Sequence, residues 1–164
     1  MIERLLEKLE GNWGVCKVTV CRPGHDHRCP HGKSESCGVC SENLDSFIAE
    51  TDENVLRTQG KDTMRYYAAG AEKVVWVRAQ REYLKQGVQK ALDLLAENAG
   101  IIFEGNNALT VMEPDLAVMV HGNPIRYKAS ARPVLHKIDI QGEASDPILL
   151  EQILSRVLQV KNHI

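Results

Sequence analysis

The chain has no long apolar run: none of its 164 residues lies in a stretch approaching the roughly 18 consecutive apolar residues of a candidate membrane-spanning helix. The sequence therefore predicts no membrane partner. It also lacks an excess of charge, because its formal net charge is -2 at pH 7. Non-specific binding to nucleic acid depends on an excess of lysine and arginine. We therefore expect no nucleic-acid partner.

Three motifs are also missing. The N-terminal stretch MIERLLEKLEGNW carries charges among its leucines, unlike the apolar core of a signal peptide. This favours a cytoplasmic protein, and disulfides are rare in that compartment. The motif GxxxxGK[S/T], which cradles phosphates in complete Walker-type sites, does not occur. No Ser/His/Asp set is placed as nucleophile and base, so we assign no catalytic residue.

The composition of the chain and the pattern of its apolar segments predict one α/β domain over residues 1–164. Apolar residues make up 43% and charged residues 26% of the chain, as in ordinary globular domains. Stretches such as VVWVRA (74–79) are apolar throughout, which is typical of strands buried on both faces. Strands that alternate with helices predict a mostly parallel sheet with helices on both faces. Helices are predicted over 2–9, 62–69, 81–98 and 146–160, and strands over 13–20, 47–51, 74–79, 100–104, 115–120 and the end of 134–141.

In such sheets ligands bind beyond the carboxyl ends of the strands. The strand in GIIFEGN delivers Glu104 to that edge, where a carboxylate holds a Mg²⁺ or a nucleophilic water, or else caps the next turn. The turn GKD places Lys61 beside a helix start, where it meets a phosphate or stays solvated. Asp62 or Thr63 is expected to cap that helix.

The densest cluster of cysteine and histidine residues is CRPGHDHRCPHGKSESCGVC, residues 21–40, which is predicted to be an inserted loop after the first strand. Its C-x2-C pair, Cys37 and Cys40, has a spacing at which two thiolates face one metal ion. Four thiolates favour structural zinc or an iron-sulfur cluster. A reduced loop without metal is one alternative, and thioredoxin-like redox use of the CGVC segment is another. Cys16, inside an apolar strand, is interpreted as core packing. The predicted ligands are Cys21, Cys29, Cys37 and Cys40, with His25, His27 and His31 as spare ligands.

A family resemblance appears in LRTQGKDTMRYYAAGAEKVVWVRA. With its Gly-Lys-Asp-Thr turn (60–63), Arg65 and Ala-Gly-Ala (69–71), it resembles the molybdopterin-guanine dinucleotide biosynthesis protein B family. The stretch GIIFEGNNAL followed by EPDLAVMV is similar to that family's Val-Glu-Gly strand and its next, Pro-Asp-led strand. The motifs cover most of the chain from Gly14 onward, and their order and spacing carry the resemblance.

The resemblance implies a P-loop NTPase-like fold, truncated at its N-terminus, in an accessory protein of molybdenum cofactor biosynthesis. It implies GTP and Mg²⁺ as ligands, another cofactor-biosynthesis enzyme as partner, and a nucleotide site formed by Lys61, Asp62, Arg65 and Glu104. Two readings stay open. Either the protein has lost the first strand and the phosphate loop and is no enzyme, or it is a GTPase whose loop is encoded ahead of Met1. A homodimer that covers an unpaired sheet edge is a further alternative.

Overall fold

The computed structural model describes residues 1–21 and 46–161. These residues form a mixed α/β fold in which parallel pairing dominates both sheets. The helices are α1 (Ile2–Leu6), α2 (Glu53–Leu56), α3 (Asp62–Ala68), α4 (Leu84–Leu94) and α5 (Pro147–Lys161). The strands are β1 (Trp13–Cys21), β2 (Phe47–Glu50), β3 (Lys73–Gln80), β4 (Gly100–Glu104), β5 (Val118–His121) and β6 (Ile140–Glu143).

Four strands form one sheet in the order β2-β3-β1-β4. Strand β1 pairs in parallel with both β3 and β4, whereas β2 is antiparallel to β3. Strands β5 and β6 pair in parallel as a second sheet. The prediction of a mostly parallel sheet is confirmed, although the described strands divide it into two sheets.

The side chains of the central strands alternate between two cores. Cys16 and Val18 of β1 pack with Val77 of β3 against α4. Val15 and Val74 point to the opposite face, where they pack with Leu6 of α1. Helices therefore cover both faces, because strands that are apolar on both sides must bury both.

A third core lies under α5. Leu149 and Ile153 of that helix pack with Leu5 of α1 and with half-buried residues of β5 and β6. Since Leu5 belongs to this core and Leu6 to the one under α3, the short helix α1 joins the two sheets on one face.

Several predicted boundaries shift. The helix predicted over 81–98 is a 3-10 helix at Arg81–Tyr83 followed by α4, which ends at Leu94. The helix predicted over 2–9 is shorter, because only Ile2–Leu6 is helical. The strand predicted over 115–120 begins later and ends one residue further on, at Val118–His121. The N-cap predicted at Asp146 is confirmed, since its Oδ1 accepts from the Ile148 backbone N-H at 2.8 Å.

Candidate functional site

A row of polar side chains crosses the sheet at the carboxyl end of β4. In the strand register Lys17 of β1 lies opposite Glu104 of β4 on one side and Trp76 of β3 on the other. Val15, two residues earlier on β1, belongs to the core under α3. Because side chains two positions apart share a face, Lys17 and Glu104 project on the α3 side, just beyond that apolar layer.

Lys17 forms an ion pair with Asp62, the first residue of α3. Helix α3 leads back into β3, so its first turn lies at the carboxyl edge of the sheet. Asp62 Oδ1 also lies 3.5 Å from Arg65 Nη1, one turn along the helix. Arg65 Nε in turn lies 2.5 Å from Glu3 Oε1 of α1. A continuous chain of alternating charges thus connects β1, α3 and α1.

Glu104 forms a hydrogen bond with Tyr66 of α3. The Tyr66 hydroxyl donates to Glu104 Oε2 at 3.4 Å, and the tyrosine side chain is buried. Gly105 follows with φ +133, and a Cβ at this position would lie 2.7 Å from the Val18 carbonyl oxygen. Glycine is required here because a side chain is strained at this φ and has no room. Strand β4 therefore ends at Glu104, and the backbone changes direction at Gly105.

The electrostatics of the site follow from these contacts. The hydrogen bond from Lys17 is the main cause that lowers the pKa of Asp62 below its ordinary value of 3.8, and the positive charges nearby add to it. Burial raises the pKa of the Tyr66 hydroxyl, and the charge of Glu104 raises it further. Asp62 is therefore a carboxylate and Tyr66 a neutral hydrogen-bond donor at neutral pH.

Three of the four residues predicted for nucleotide binding come together in this cluster: Asp62, Arg65 and Glu104. Lys61 is exposed beside them and occupies the N-cap position of α3. The prediction that Asp62 or Thr63 caps α3 is wrong, because the helix has no side-chain cap. The Asp62 carboxylate forms an ion pair with Lys17 instead. The Thr63 hydroxyl donates to the Leu56 carbonyl oxygen at 2.6 Å.

Sequence reasoning missed Lys17, Tyr66 and Glu3. A signal for Lys17 was present, because it is the single charged residue in the strand WGVCKVTVC. A charge inside a strand that packs on both faces needs a partner. No local pattern distinguishes Tyr66 or Glu3. Tyr66 reaches Glu104 only because α3 packs on the sheet, and Glu3 reaches Arg65 only because α1 lies beside α3.

A wide groove opens beside this cluster. Lys17, Asp62 and Glu104 line it, and so do Lys128 and Ser130 of the segment after β5. Asn106, directly after β4, donates from Nδ2 to Ser130 Oγ at 3.4 Å and thereby ties that segment to the site. The groove has a volume of about 1770 Å³ and is open to solvent. In proteins generally, carboxylate oxygens are the ligand type that Mg²⁺ prefers, and ammonium groups are donors to phosphate.

Of the predicted zinc ligands only Cys21 lies in the described part of the chain. It is half-buried at the end of β1. Cys29, Cys37 and Cys40 lie outside the described residues. Within residues 1–21 and 46–161 no group of three or more His, Cys, Asp or Glu side chains is arranged to hold a metal ion. Cys16 is fully buried in the apolar core, as predicted.

Comparison of the chain with protein-family models, with curated proteins and with solved structures finds no match. Across the described residues no helix is both long enough and apolar enough to cross a membrane.

Proposed function

We propose that this chain is a nucleotide-binding accessory protein of molybdenum cofactor biosynthesis, with a degenerate P-loop-like fold and a partner enzyme in that pathway. One observation carries the nucleotide part: Asp62, Arg65 and Glu104, predicted from the sequence, converge with Lys17 at the carboxyl end of β4. The pathway rests on the resemblance to molybdopterin-guanine dinucleotide biosynthesis protein B alone.

The charges of the cluster favour a magnesium-nucleotide complex over a free nucleotide. The carboxylates Glu3, Asp62 and Glu104 are matched in number by the cations Lys17, Arg65 and the neighbouring Lys61, so the cluster has no net positive charge. A free polyphosphate gains no net attraction from such a cluster, whereas Mg²⁺ adds the positive charge that the phosphates need. Asp62 and Glu104 then bind the cation or its water molecules, and Lys17 turns from Asp62 to a phosphate oxygen.

Calorimetric titration of the purified chain with GTP, with and without Mg²⁺, tests this function. We expect binding that requires Mg²⁺ and that weakens about tenfold or more in Lys17→Met, because a charge-assisted hydrogen bond contributes about 1.5–3 kcal/mol. Lys90→Met is the matched control, since Lys90 is exposed on α4 against the opposite face of the sheet. Absence of binding heat, or equal weakening in both variants, contradicts the proposal.

The loop at 21–40 is proposed to bind structural zinc, or an iron-sulfur cluster, through Cys21, Cys29, Cys37 and Cys40. Elemental analysis of the purified protein tests this part separately. We expect one equivalent of zinc, or two or four equivalents of iron for an iron-sulfur cluster, and loss of the metal in the double variant Cys37→Ala/Cys40→Ala together with lower thermal stability. Cys16→Ala is the matched control and keeps the metal, because Cys16 is enclosed by the core. A metal-free protein, or a double variant of unchanged stability, contradicts the zinc proposal.

A second candidate is a GTPase whose phosphate loop is encoded outside these 164 residues. It is favoured by the position of α1, because Glu3 in the first turn of that helix contacts Arg65 of the cluster. A loop joined to the start of α1 therefore enters the site. Reading the DNA ahead of Met1 for an in-frame GxxxxGK[S/T] tests it, followed by GTP hydrolysis assays on the extended protein. An upstream stop codon without that motif excludes this candidate.

A further inference from the structure

The stretch 116–137, which contains β5 and the segment after it, brings positive charge to the groove. It holds four of the chain's 20 Lys and Arg residues and none of its 22 Asp and Glu residues. Two of those four, Arg126 and Lys128, are exposed and line the groove described above. Since the whole chain has a formal net charge of -2, this local excess does not follow from its average composition. The segment after β5 is therefore a cationic wall of the groove.

The backbone around these two cations is held by hydrogen bonds. Between them, the Tyr127 hydroxyl donates to Gln141 Oε1 of β6 at 3.2 Å. After them, the Lys128 carbonyl oxygen accepts from the Ala131 backbone N-H at 2.9 Å, and the Ala131 side chain is buried. The contact at Ser130 described above joins the same segment to the end of β4. Both cationic side chains thus start from fixed backbone positions, so a ligand has only their rotamers to order.

No carboxylate among the described residues neutralises this pair. The ion pairs between described residues include neither Arg126 nor Lys128. Two carboxylates line the groove outside the cluster at β4, namely Glu113 and Asp115. Glu113 pairs with Lys137, and Asp115 precedes β5, whereas the two cations follow that strand. Both positive charges are therefore open to an anionic ligand.

The charge and geometry of the pair indicate which anion it takes. A phosphate monoester carries about -1.5 to -2 at pH 7, which one arginine and one lysine match, whereas a single carboxylate needs only one of them. The planar guanidinium donates two parallel hydrogen bonds to a phosphate, and the ammonium group adds a point charge. We propose that Arg126 and Lys128 form a phosphate site that requires no metal and binds the phosphate monoester group of a small molecule.

The groove has room for this group next to a nucleotide. Its volume of about 1770 Å³ exceeds the roughly 300–1,000 Å³ of an ordinary ligand pocket. The hydrogen bond between Asn106 and Ser130 holds the cationic segment beside the end of β4, where Glu104 lies. The phosphate is therefore either the terminal phosphate of a nucleotide bound at the cluster or the phosphate of a second ligand. The chemistry at Arg126 and Lys128 is the same for both.

Titration of the isotope-labelled full chain with inorganic phosphate, followed by NMR, tests this site. A trace of EDTA ensures that no metal links phosphate to the carboxylates, and ionic strength is held constant. We expect saturable shifts of the Tyr127 backbone amide. Binding should weaken about tenfold or more in Arg126→Gln/Lys128→Gln, because two charge-assisted hydrogen bonds are lost. The exchanged variant Arg126→Lys/Lys128→Arg keeps both charges and should bind more tightly than the double glutamine variant.

Arg132→Gln/Lys90→Gln is the matched control. It removes the same charge at two exposed positions outside the groove, so it should bind phosphate as the unchanged protein does. Circular dichroism confirms that all variants fold.

Titration with GTP and Mg²⁺ identifies the source of the phosphate. If the site takes the terminal phosphate of the nucleotide, GTP competes with inorganic phosphate and binds more weakly to Arg126→Gln/Lys128→Gln. If the site serves a second ligand, GTP and phosphate bind together and the variant keeps its affinity for GTP. Phosphate binding in a protein that binds no GTP supports this site and contradicts only the nucleotide function proposed above.

Three results overturn the proposal. One is the absence of saturable shifts at Tyr127. Another is phosphate binding that is unchanged in Arg126→Gln/Lys128→Gln. The third is equal weakening in Arg132→Gln/Lys90→Gln, which assigns the effect to the net charge of the chain instead of to the pair.

Discussion

Lys17 in the middle of β1 and Asp62 at the start of α3 form an ion pair across 45 positions of sequence. This contact holds the first turn of α3 near the carboxyl end of β4, where Lys17 lies opposite Glu104. It also neutralises the one charge that the strand carries into an otherwise apolar layer. The pair is partly open to solvent, with 24% and 45% of the two side chains exposed, so a ligand can compete for either partner.

A double-mutant cycle measures the strength of this pair. Lys17→Met and Asp62→Asn are expected to couple by about 0.5–1 kcal/mol in the free energy of unfolding, because both groups are partly exposed and water screens them. High salt should reduce the coupling. The comparison is the exposed pair of Glu53 in α2 and Arg57 at its C-cap, whose coupling should be smaller since both side chains are more than half exposed. A coupling no larger than that of the α2 pair contradicts the role assigned to Lys17.

Because the pKa of Asp62 is lowered, the free energy of unfolding should depend on pH in the acid range. Because the folded state favours the ionised carboxylate, Asp62 stabilises the protein above its ordinary pKa of 3.8, and this contribution is lost as the pH falls through the lower folded value. The stability difference between the protein and Asp62→Asn should therefore be constant near neutral pH and shrink in acid. Chemical denaturation across this range measures it. In a Lys17→Met background, which lacks the hydrogen bond that lowers the pKa of Asp62, the change with acid should be smaller.

Substitution of Gly105 tests whether the turn after β4 positions the site. Gly105→Ala is expected to lower the free energy of unfolding by about 1–3 kcal/mol, because φ is +133 and the new Cβ meets the Val18 carbonyl oxygen. Binding of GTP with Mg²⁺ should weaken as well, since Glu104 is displaced. Gly122→Ala is the matched control, with no atom within 4 Å of the added Cβ. Equal stability of the two variants counts against a positioning role for this turn.

The buried thiol of Cys16 is expected to be inert in the folded protein. Burial raises its pKa from an ordinary 9.0 to about 12, and the thiolate is the reactive form. Mass-spectrometric mapping after brief alkylation at mildly alkaline pH should find the Cys16 peptide unmodified. The same treatment in denaturant should modify it fully. Modification at similar rates in both conditions contradicts the assignment of Cys16 to the core.

Much of the fold was predictable from local pattern. Apolar runs such as 74–79 identify strands buried on both faces, and β3 occupies that position in the sheet. Element ends were less predictable because they depend on packing: α4 ends at Leu94, whereas the helical pattern continues to residue 98. The division into two sheets was not predictable at all. Which strand edges pair depends on how α1, α4 and α5 pack, and periodicity within one segment contains no information about its neighbours.

For the candidate site, the sequence by itself determined the residue types and their order: a charged residue in β1, a Gly-Lys-Asp turn before α3, and Glu104 before a glycine. It also determined that these segments end at the same edge, because parallel strands connected by helices place their carboxyl ends together. Only the tertiary structure decided which groups meet. Strand register sets Lys17 opposite Glu104, and the packing of α3 brings Asp62 to Lys17 and Tyr66 to Glu104. Register and packing arise from the burial of side chains far apart in sequence, which is why no local motif predicts these contacts.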